Sequence, residues 1–359
     1  MRNANGAWCI ARLCMLTLCL QLHQAALGHC QIGQVAEIPV EFVSNEVLAH
    51  GEIDGQPIKV IIDTGSMQSM IWRAAAARLG LPLAAGPQAA HLYGLGGESR
   101  LEQTVIKELR FGTFAVTDLR IPAAGDVRAN FDLLLGDDFW SVSSLEFDLK
   151  HHVIRMLNPN GCKAAELPYW AKTYSMADLI ASPRDTRKIE VEVQLNGHTL
   201  RALIDSGAAR SLVSRSMADA VGVSYQGASE RINGIGTHSL ESRIGTFQRF
   251  TLGDETINNV QLRVANLSQN GKGERLGTRL PVNVVKMPEM LLGADFLQAH
   301  RVLIDNSTRK IVFTYEGGPV FQTLEPNQLN ASTPGTAAEP PSGGAATAAT
   351  PPPPDSHDH

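Results

Sequence analysis

The chain has 359 residues, 43% of them hydrophobic and 19% charged, with a formal net charge of −5. That length accommodates two domains, and the hydrophobic content is ordinary for a globular protein. The mild acidic balance gives no electrostatic footprint for nucleic acid, and beyond the N-terminus no apolar run approaches the ~18 residues that a spanning helix needs.

Met1–Gly28 reads as an export signal. Arg2 precedes a short apolar run at Leu13–Leu20, and Ala25-Ala26-Leu27-Gly28 closes it, with Ala26 and Gly28 suited to positions −3 and −1 of a cleavage site. Arg12 interrupts the apolar stretch and argues further against a spanning helix. Of five cysteines, Cys9, Cys14 and Cys19 fall in this segment, which leaves Cys30 and Cys162. An even pair in an oxidising compartment is expected to form a disulfide, here tying the new N-terminus to the middle of the chain. The rival reading takes Leu27-Gly28-His29-Cys30 as a lipoprotein box with Cys30 acylated, against which His29 is a poor neighbour. The expectation is therefore a periplasmic or secreted protein. Residues 29–47 form an N-terminal segment that reads either as a pro-segment or, through Val35–Phe42, as an edge strand.

A first domain is expected over residues 48–158. Leu48–Ile53 and Ile58–Ile62 flank Asp54-Gly55, a preferred pair for a type I′ hairpin. The second strand runs into Ile61-Ile62-Asp63-Thr64-Gly65-Ser66. A short alanine-rich helix closed by Gly80 follows, then Leu92-Tyr93-Gly94-Leu95-Gly96-Gly97, which reads as a hairpin tip. Leu133-Leu134-Leu135-Gly136-Asp137-Asp138-Phe139 comes next, then Asp148 and the β-like run Val153–Met156. Residues 159–187 form a linker whose Cys162, Pro168, Trp170 and Tyr174 suggest that it packs down.

The same landmarks recur in the same order over residues 188–325. Asn196-Gly197 stands before Leu203-Ile204-Asp205-Ser206-Gly207-Ala208, and Met217–Gly222 repeats the short helix. Ile232-Asn233-Gly234-Ile235-Gly236-Thr237 repeats the tip, Met290-Leu291-Leu292-Gly293-Ala294-Asp295-Phe296 the apolar-glycine motif, and Asp305 with Lys310–Thr314 the end. One Asp-Thr/Ser-Gly after an apolar run is a weak signal. Five landmarks in one order, twice, read as a tandem duplication. The extra residues of the second copy are placed in a surface loop at Asn270–Arg279. From Pro326 to His359 the chain turns to Pro, Ala, Gly, Ser and Thr, a composition expected to stay disordered.

This order resembles the retropepsin-like aspartic peptidases, and two copies in one polypeptide resemble the single-chain, two-lobed pepsin type. The resemblance implies an all-β fold with short helices: two tandem acid-protease β-barrel lobes related by a pseudo-twofold axis. It implies a catalytic pair, Asp63 and Asp205, one from each lobe. Gly65 and Gly207 would let a tight turn present each carboxylate. Thr64 and Ser206 would hydrogen-bond across the axis. Ser66 would donate its hydroxyl to Asp63, where the second lobe has Ala208. Tyr93, Gly94, Leu95 and Gly96 would form a flap over substrate, with Gly234, Ile235 and Gly236 as its counterpart. Whether one tip or both fold over the cleft stays open.

Two carboxylates about 3 Å apart share a proton and titrate as a coupled pair, the arrangement that general acid–base hydrolysis of an amide needs. An aspartic endopeptidase acting as a monomer on peptide or protein substrates, without cofactor, is the expected function. An inactive peptide-binding module of the cell envelope is the alternative. Asp137, Asp138 and Asp295 read as helix N-caps rather than metal ligands, Asp148 and Asp305 as strand or turn residues, and no metal site is expected. Extended, apolar peptide segments are the expected substrates.

Overall fold

The computed structural model describes residues 30–86, 91–95, 97–125, 129–181, 188–234, 238–267 and 288–321, with backbone alone at 91–94 and 228–229. The expected export signal at Met1–Gly28, the loop expected at Asn270–Arg279 and the tail expected over 326–359 lie outside the described residues, as do Gly96, Ile235 and Gly236.

In chain order the first half carries β1 (Gln31–Val43), β2 (Glu46–Ile53), β3 (Gln56–Ile62), β4 (Met70–Trp72), helix α1 (Arg73–Arg78), β5 (Ala84–Ala85), β6 (His91–Gly94), β7 (Gly97–Arg100), β8 (Glu102–Phe111), β9 (Phe114–Ala124), β10 (Leu133–Leu135), α2 (Asp137–Trp140), β11 (Ser144–Asp148) and β12 (Val153–Asn160). A connecting strand β13 (Ser175–Asp178) leads to the second half. There β14 (Glu190–Leu195), β15 (His198–Ile204), β16 (Leu212–Ser214), α3 (Arg215–Ala220), β17 (Tyr225–Ile232), β18 (Leu240–Leu252), β19 (Glu255–Ala265), β20 (Met290–Leu292), α4 (Ala294–Ala299), β21 (His300–Asp305) and β22 (Lys310–Tyr315) follow.

Each half closes a six-stranded barrel. The first runs β2-β3-β10-β4-β9-β8 and closes through β2–β8; the second runs β14-β15-β20-β16-β19-β18 and closes through β14–β18. Closure removes the edges that an open sheet would expose. The local causes are legible in the residues. Asp54 and Gly55 both adopt positive φ, as do Asn196 and Gly197, which is what the two-residue hairpin turns demand. The short central strands β4, β10, β16 and β20 are buried at every position, so β4, β10 and β20 carry apolar residues throughout and β16 breaks the rule only at its last residue, Ser214. The long β18 meets solvent on one face, and its buried and exposed positions largely alternate. Gly80 and Gly222, at φ +69° in both cases, stop α1 and α3.

A six-stranded antiparallel sheet, β13-β22-β21-β11-β12-β1, joins the halves. Its central step is β11 of the first half against β21 of the second, with Leu145 opposite Ile304 and Phe147 opposite Val302. Glu146, fully buried between them, accepts from Arg155 of the first half and Arg301 of the second, both at 2.7 Å. A buried carboxylate needs such partners to offset its lost hydration. The N-terminal segment resolves as strand: β1 pairs with β12 through Pro39 and with β2 from Val40. Ala36, Ile38 and Val40 are buried, so removing the segment would open the core. Cys30 and Cys162 are disulfide-bonded, joining the start of β1 to the chain just beyond β12.

Candidate active site

β3 and β15 each deliver an aspartate at the mouth of a barrel. The Asp63 N–H donates to the Leu135 carbonyl and the Asp205 N–H to the Leu292 carbonyl, both at 2.9 Å. The chain then leaves the sheet and turns back on its own carboxylate. Asp63 Oδ1 accepts from the Gly65 N–H at 2.8 Å and the Ser66 N–H at 3.1 Å; Asp205 Oδ1 accepts from Gly207 and Ala208, each at 3.1 Å.

The two turns lock together reciprocally. Thr64 Oγ1 donates to the Ile204 carbonyl at 2.8 Å and accepts from the Ser206 N–H at 3.0 Å. Ser206 Oγ donates to the Ile62 carbonyl at 2.5 Å and accepts from the Thr64 N–H at 3.1 Å. Both hydroxyls are buried, so each of these bonds satisfies a backbone group that water does not reach.

That lock brings the carboxylates face to face. A Cβ placed on Gly65 would sit 2.5 Å from the Asp205 Cγ, and one on Gly207 would sit 2.4 Å from the Asp63 Cγ. Any side chain at either position would part the pair, so glycine is required by close approach. The two carboxyl groups act on each other's affinity for a proton, and both keep partial exposure. Burial pushes both above the ordinary carboxylate range, and Asp205 much the further, because the charge of Asp63 also favours a proton on Asp205. The Gly65 N–H acts the other way on Asp63, stabilising its anion.

A family match supplies the context for this geometry. The sequence matches the aspartyl protease family over residues 49–139 and 191–296. The chain belongs to that aspartyl protease family. The two-lobed architecture described above is the aspartic protease fold. A solved aspartic proteinase from Irpex lacteus is similar at 11% identity and a TM-score of 0.46, over 79% of this chain and 97% of that one. No curated protein matches the sequence.

Within this aspartyl protease fold, two expectations change. The Ser66 hydroxyl donates to the Gln68 carbonyl at 2.9 Å and not to Asp63; only its N–H reaches the carboxylate. The helix N-caps of α2 and α4 are Gly136 and Gly293, and Asp137, Asp138 and Asp295 stand in the first turns. Asp138 and Asp295 reach sideways instead. Asp138 accepts from the N–H and hydroxyl of Ser69 at 2.7 and 2.6 Å, and Asp295 from those of Ser211 at 2.9 and 2.6 Å. The serine hydroxyls in turn accept from the Gly136 and Gly293 N–H groups, both at 2.9 Å. Each apolar-glycine motif thereby clamps the far end of an active-site turn. Ser69 and Ser211 are functional supports that reading single motifs missed, although each stands six positions after its aspartate. Asp305 ends β21, as expected of a strand or turn residue, and its carboxylate gathers Ser144 from the other half and Ser307 and Thr308 from its own turn.

β6 and β7 form a hairpin in which Tyr93 pairs with Glu98 and Gly94 with Gly97. The side chain of Tyr93 lies outside the described residues. Leu95 and Gly234 meet across the two halves: a Cβ on Gly234 would fall 1.8 Å from the Leu95 carbonyl oxygen. Leu95 also packs, with Ile232, on Leu203, Leu212, Ala265, Leu267 and Leu291 of the second lobe.

Proposed function

We propose that the chain is an aspartic endopeptidase that hydrolyses peptide bonds with Asp63 and Asp205. The observation that carries this reading is the contact of two carboxyl groups at the seam, each held by its own turn and by a lock made from the other lobe. Asp63, ionised, takes a proton from a water molecule placed on the pair. The oxygen of that water bonds to the scissile carbonyl carbon while Asp205 gives its proton to the carbonyl oxygen. The tetrahedral diol then collapses: its C–N bond breaks, the proton gathered by Asp63 passes to the leaving amine, and one diol hydroxyl returns its proton to Asp205 as the new carboxyl group forms, which restores the pair. No covalent enzyme intermediate forms. Desolvation and the two-lobed contact supply what this needs, a base and an acid poised as one pair.

The apolar wall under Leu95 supports extended, apolar peptide segments as substrates. Because both aspartates come from one polypeptide, the monomer is the working unit. The two-copy order of landmarks supports descent by tandem duplication, and the Cys30–Cys162 bond supports an exported protein acting in an oxidising compartment. The test is incubation of the chain with a peptide library at mildly acid pH, with and without a statine-type inhibitor, beside Asp63→Asn and Asp205→Asn. Inhibitor-sensitive cleavage that both substitutions abolish is expected. Cleavage that survives either one refutes the assignment.

A further inference from the structure

The apolar wall of the second lobe on which Leu95 rests ends in a buried positive charge. Register partners in a sheet project to the same side. Leu203 is opposite Leu291, Leu291 opposite Leu212, and Leu212 opposite Arg263. The three leucines are the surface on which Leu95 of the first lobe's flap rests. Arg263 therefore continues, on the same face, a row that starts two residues before Asp205. Its side chain is only 6% exposed. The matching strands of the first lobe place Ile71 opposite Ala123 and Trp72 opposite Ala124, with no charge.

A guanidinium buried in an apolar wall is costly, and burial draws its affinity for protons below the ordinary arginine range. The charges of Glu230 and Asp295 offset part of that cost. Nη1 donates to Ser242 Oγ at 3.2 Å. Nη2 touches the carboxylate of Glu230, a charge contact without an aligned hydrogen bond, which leaves this buried nitrogen unsatisfied. Glu230 sits on β17, which leads to the second tip, and its side chain is 45% exposed. The field of Arg210, five residues beyond Asp205, adds positive charge at the same place.

We propose that Arg263, with Arg210 beside it, is a specificity site for a carboxylate side chain of the bound peptide. Glu230 is the resident stand-in that such a side chain displaces. This deepens the peptidase reading and rests on it. The peptide class is an extended segment with aliphatic residues on the wall of Leu203, Leu212 and Leu291 and one glutamate or aspartate where the wall reaches Arg263. A carboxylate aligned on the guanidinium gains charge-assisted hydrogen bonds that Glu230 does not make.

The test is a positional scan of a short apolar peptide carrying Glu or Gln at one position at a time, with kcat/KM measured at about pH 5.5, where glutamate is ionised. At one position Glu should be preferred by about tenfold or more. That ratio should fall to near one in Arg263→Gln, persist in part in Arg263→Lys, and rise in Glu230→Gln, where the internal competitor is gone. Ratios near one at every position overturn the proposal, and so does a Glu preference that survives Arg263→Gln. If Arg263→Gln does not fold, Glu230→Gln decides: a ratio that falls there refutes the displacement. The same peptide pairs are titrated onto the Asp205→Asn chain by fluorescence anisotropy. Preferential binding of Glu peptides without hydrolysis by the wild type upholds the subsite and removes the peptidase reading. Equal binding removes the subsite.

Discussion

Gly65→Ala tests whether the approach of the two carboxyl groups is what matters. The added methyl carbon would start 2.5 Å from the Asp205 Cγ, whereas ordinary contact begins near 3.4 Å. The pair must therefore part by about 0.9 Å, and displacement on the order of 1 Å costs about a hundredfold in rate for a positioned reaction. The atoms that resist are those of the Asp205 carboxylate, held by the Gly207 and Ala208 N–H groups on a turn fixed by the Thr64–Ser206 lock, so the clash cannot be absorbed without loosening the pair. The assay is kcat and KM on a fluorogenic peptide, with the thermal midpoint measured alongside. A fall of about a hundredfold in kcat with little change in KM is expected. Gly33→Ala is the control: its Cβ would rest 3.7 Å from the Asn158 carbonyl oxygen, an ordinary contact, and activity should hold. A folded Gly65→Ala chain with wild-type kcat would refute the reasoning, because the required contact would then not exist in solution.

Thr64→Val should cost roughly 2–5 kcal/mol of stability in urea unfolding, since it orphans the buried Ser206 N–H and Ile204 carbonyl; Thr64→Ser should restore most of it. Ser211→Ala should destabilise more than Ser69→Ala, because Asp295 is buried while Asp138 is exposed, and the comparison of their midpoints checks it. Asp205→Asn should raise the thermal midpoint at neutral pH. The folded chain holds the Asp205 proton above the ordinary range, so ionisation favours the unfolded state as pH rises; the gain over wild type should close near about pH 3. Cys30→Ser should lower stability by roughly 2–5 kcal/mol, given a closed loop spanning 132 positions.

What the sequence made legible was whatever depends on neighbours a few residues apart. Asp54-Gly55 and Asn196-Gly197 announce their hairpins because the backbone angles they adopt are intrinsic to those residues. Leu133–Leu135 announces a buried strand because no polar residue interrupts it. The paired aspartates were legible because the motif occurs twice. The misses all depend on distant partners. Nothing local to Ser69 or Ser211 points to a carboxylate 69 or 84 positions away, and only laying one half on the other shows the shared serine. Asp138 and Asp295 looked like caps because a first-turn aspartate and a capping aspartate differ by one or two positions, which the extended backbone of Gly136 and Gly293 decides. Glu146, Arg155 and Arg301 read as unremarkable strand charges until β11 meets β21.

Ser66 carries the last prediction. A hydroxyl donated to Asp63, as the sequence suggests, would favour its ionised form, yet the Ser66 hydroxyl points away to the Gln68 carbonyl. The polarity of the pair survives that correction from other causes. Asp63 accepts the shortest of the four turn bonds, 2.8 Å from the Gly65 N–H, against 3.1 Å for each bond to Asp205. Asp205 meanwhile faces the charge of Asp63 in a site that burial has already made costly for a second anion. Ser66→Ala should therefore leave the acid limb of the pH–rate profile where it is, with a stability change of about 1 kcal/mol or less for one exposed hydrogen bond. Ala208→Ser, which offers the second lobe the same hydroxyl, should also leave the limb in place, because the equivalent backbone turn would direct that hydroxyl away from Asp205 as well. A shift of about half a unit or more in either variant would mean that the side chain at this position, and not the backbone, sets which aspartate holds the proton.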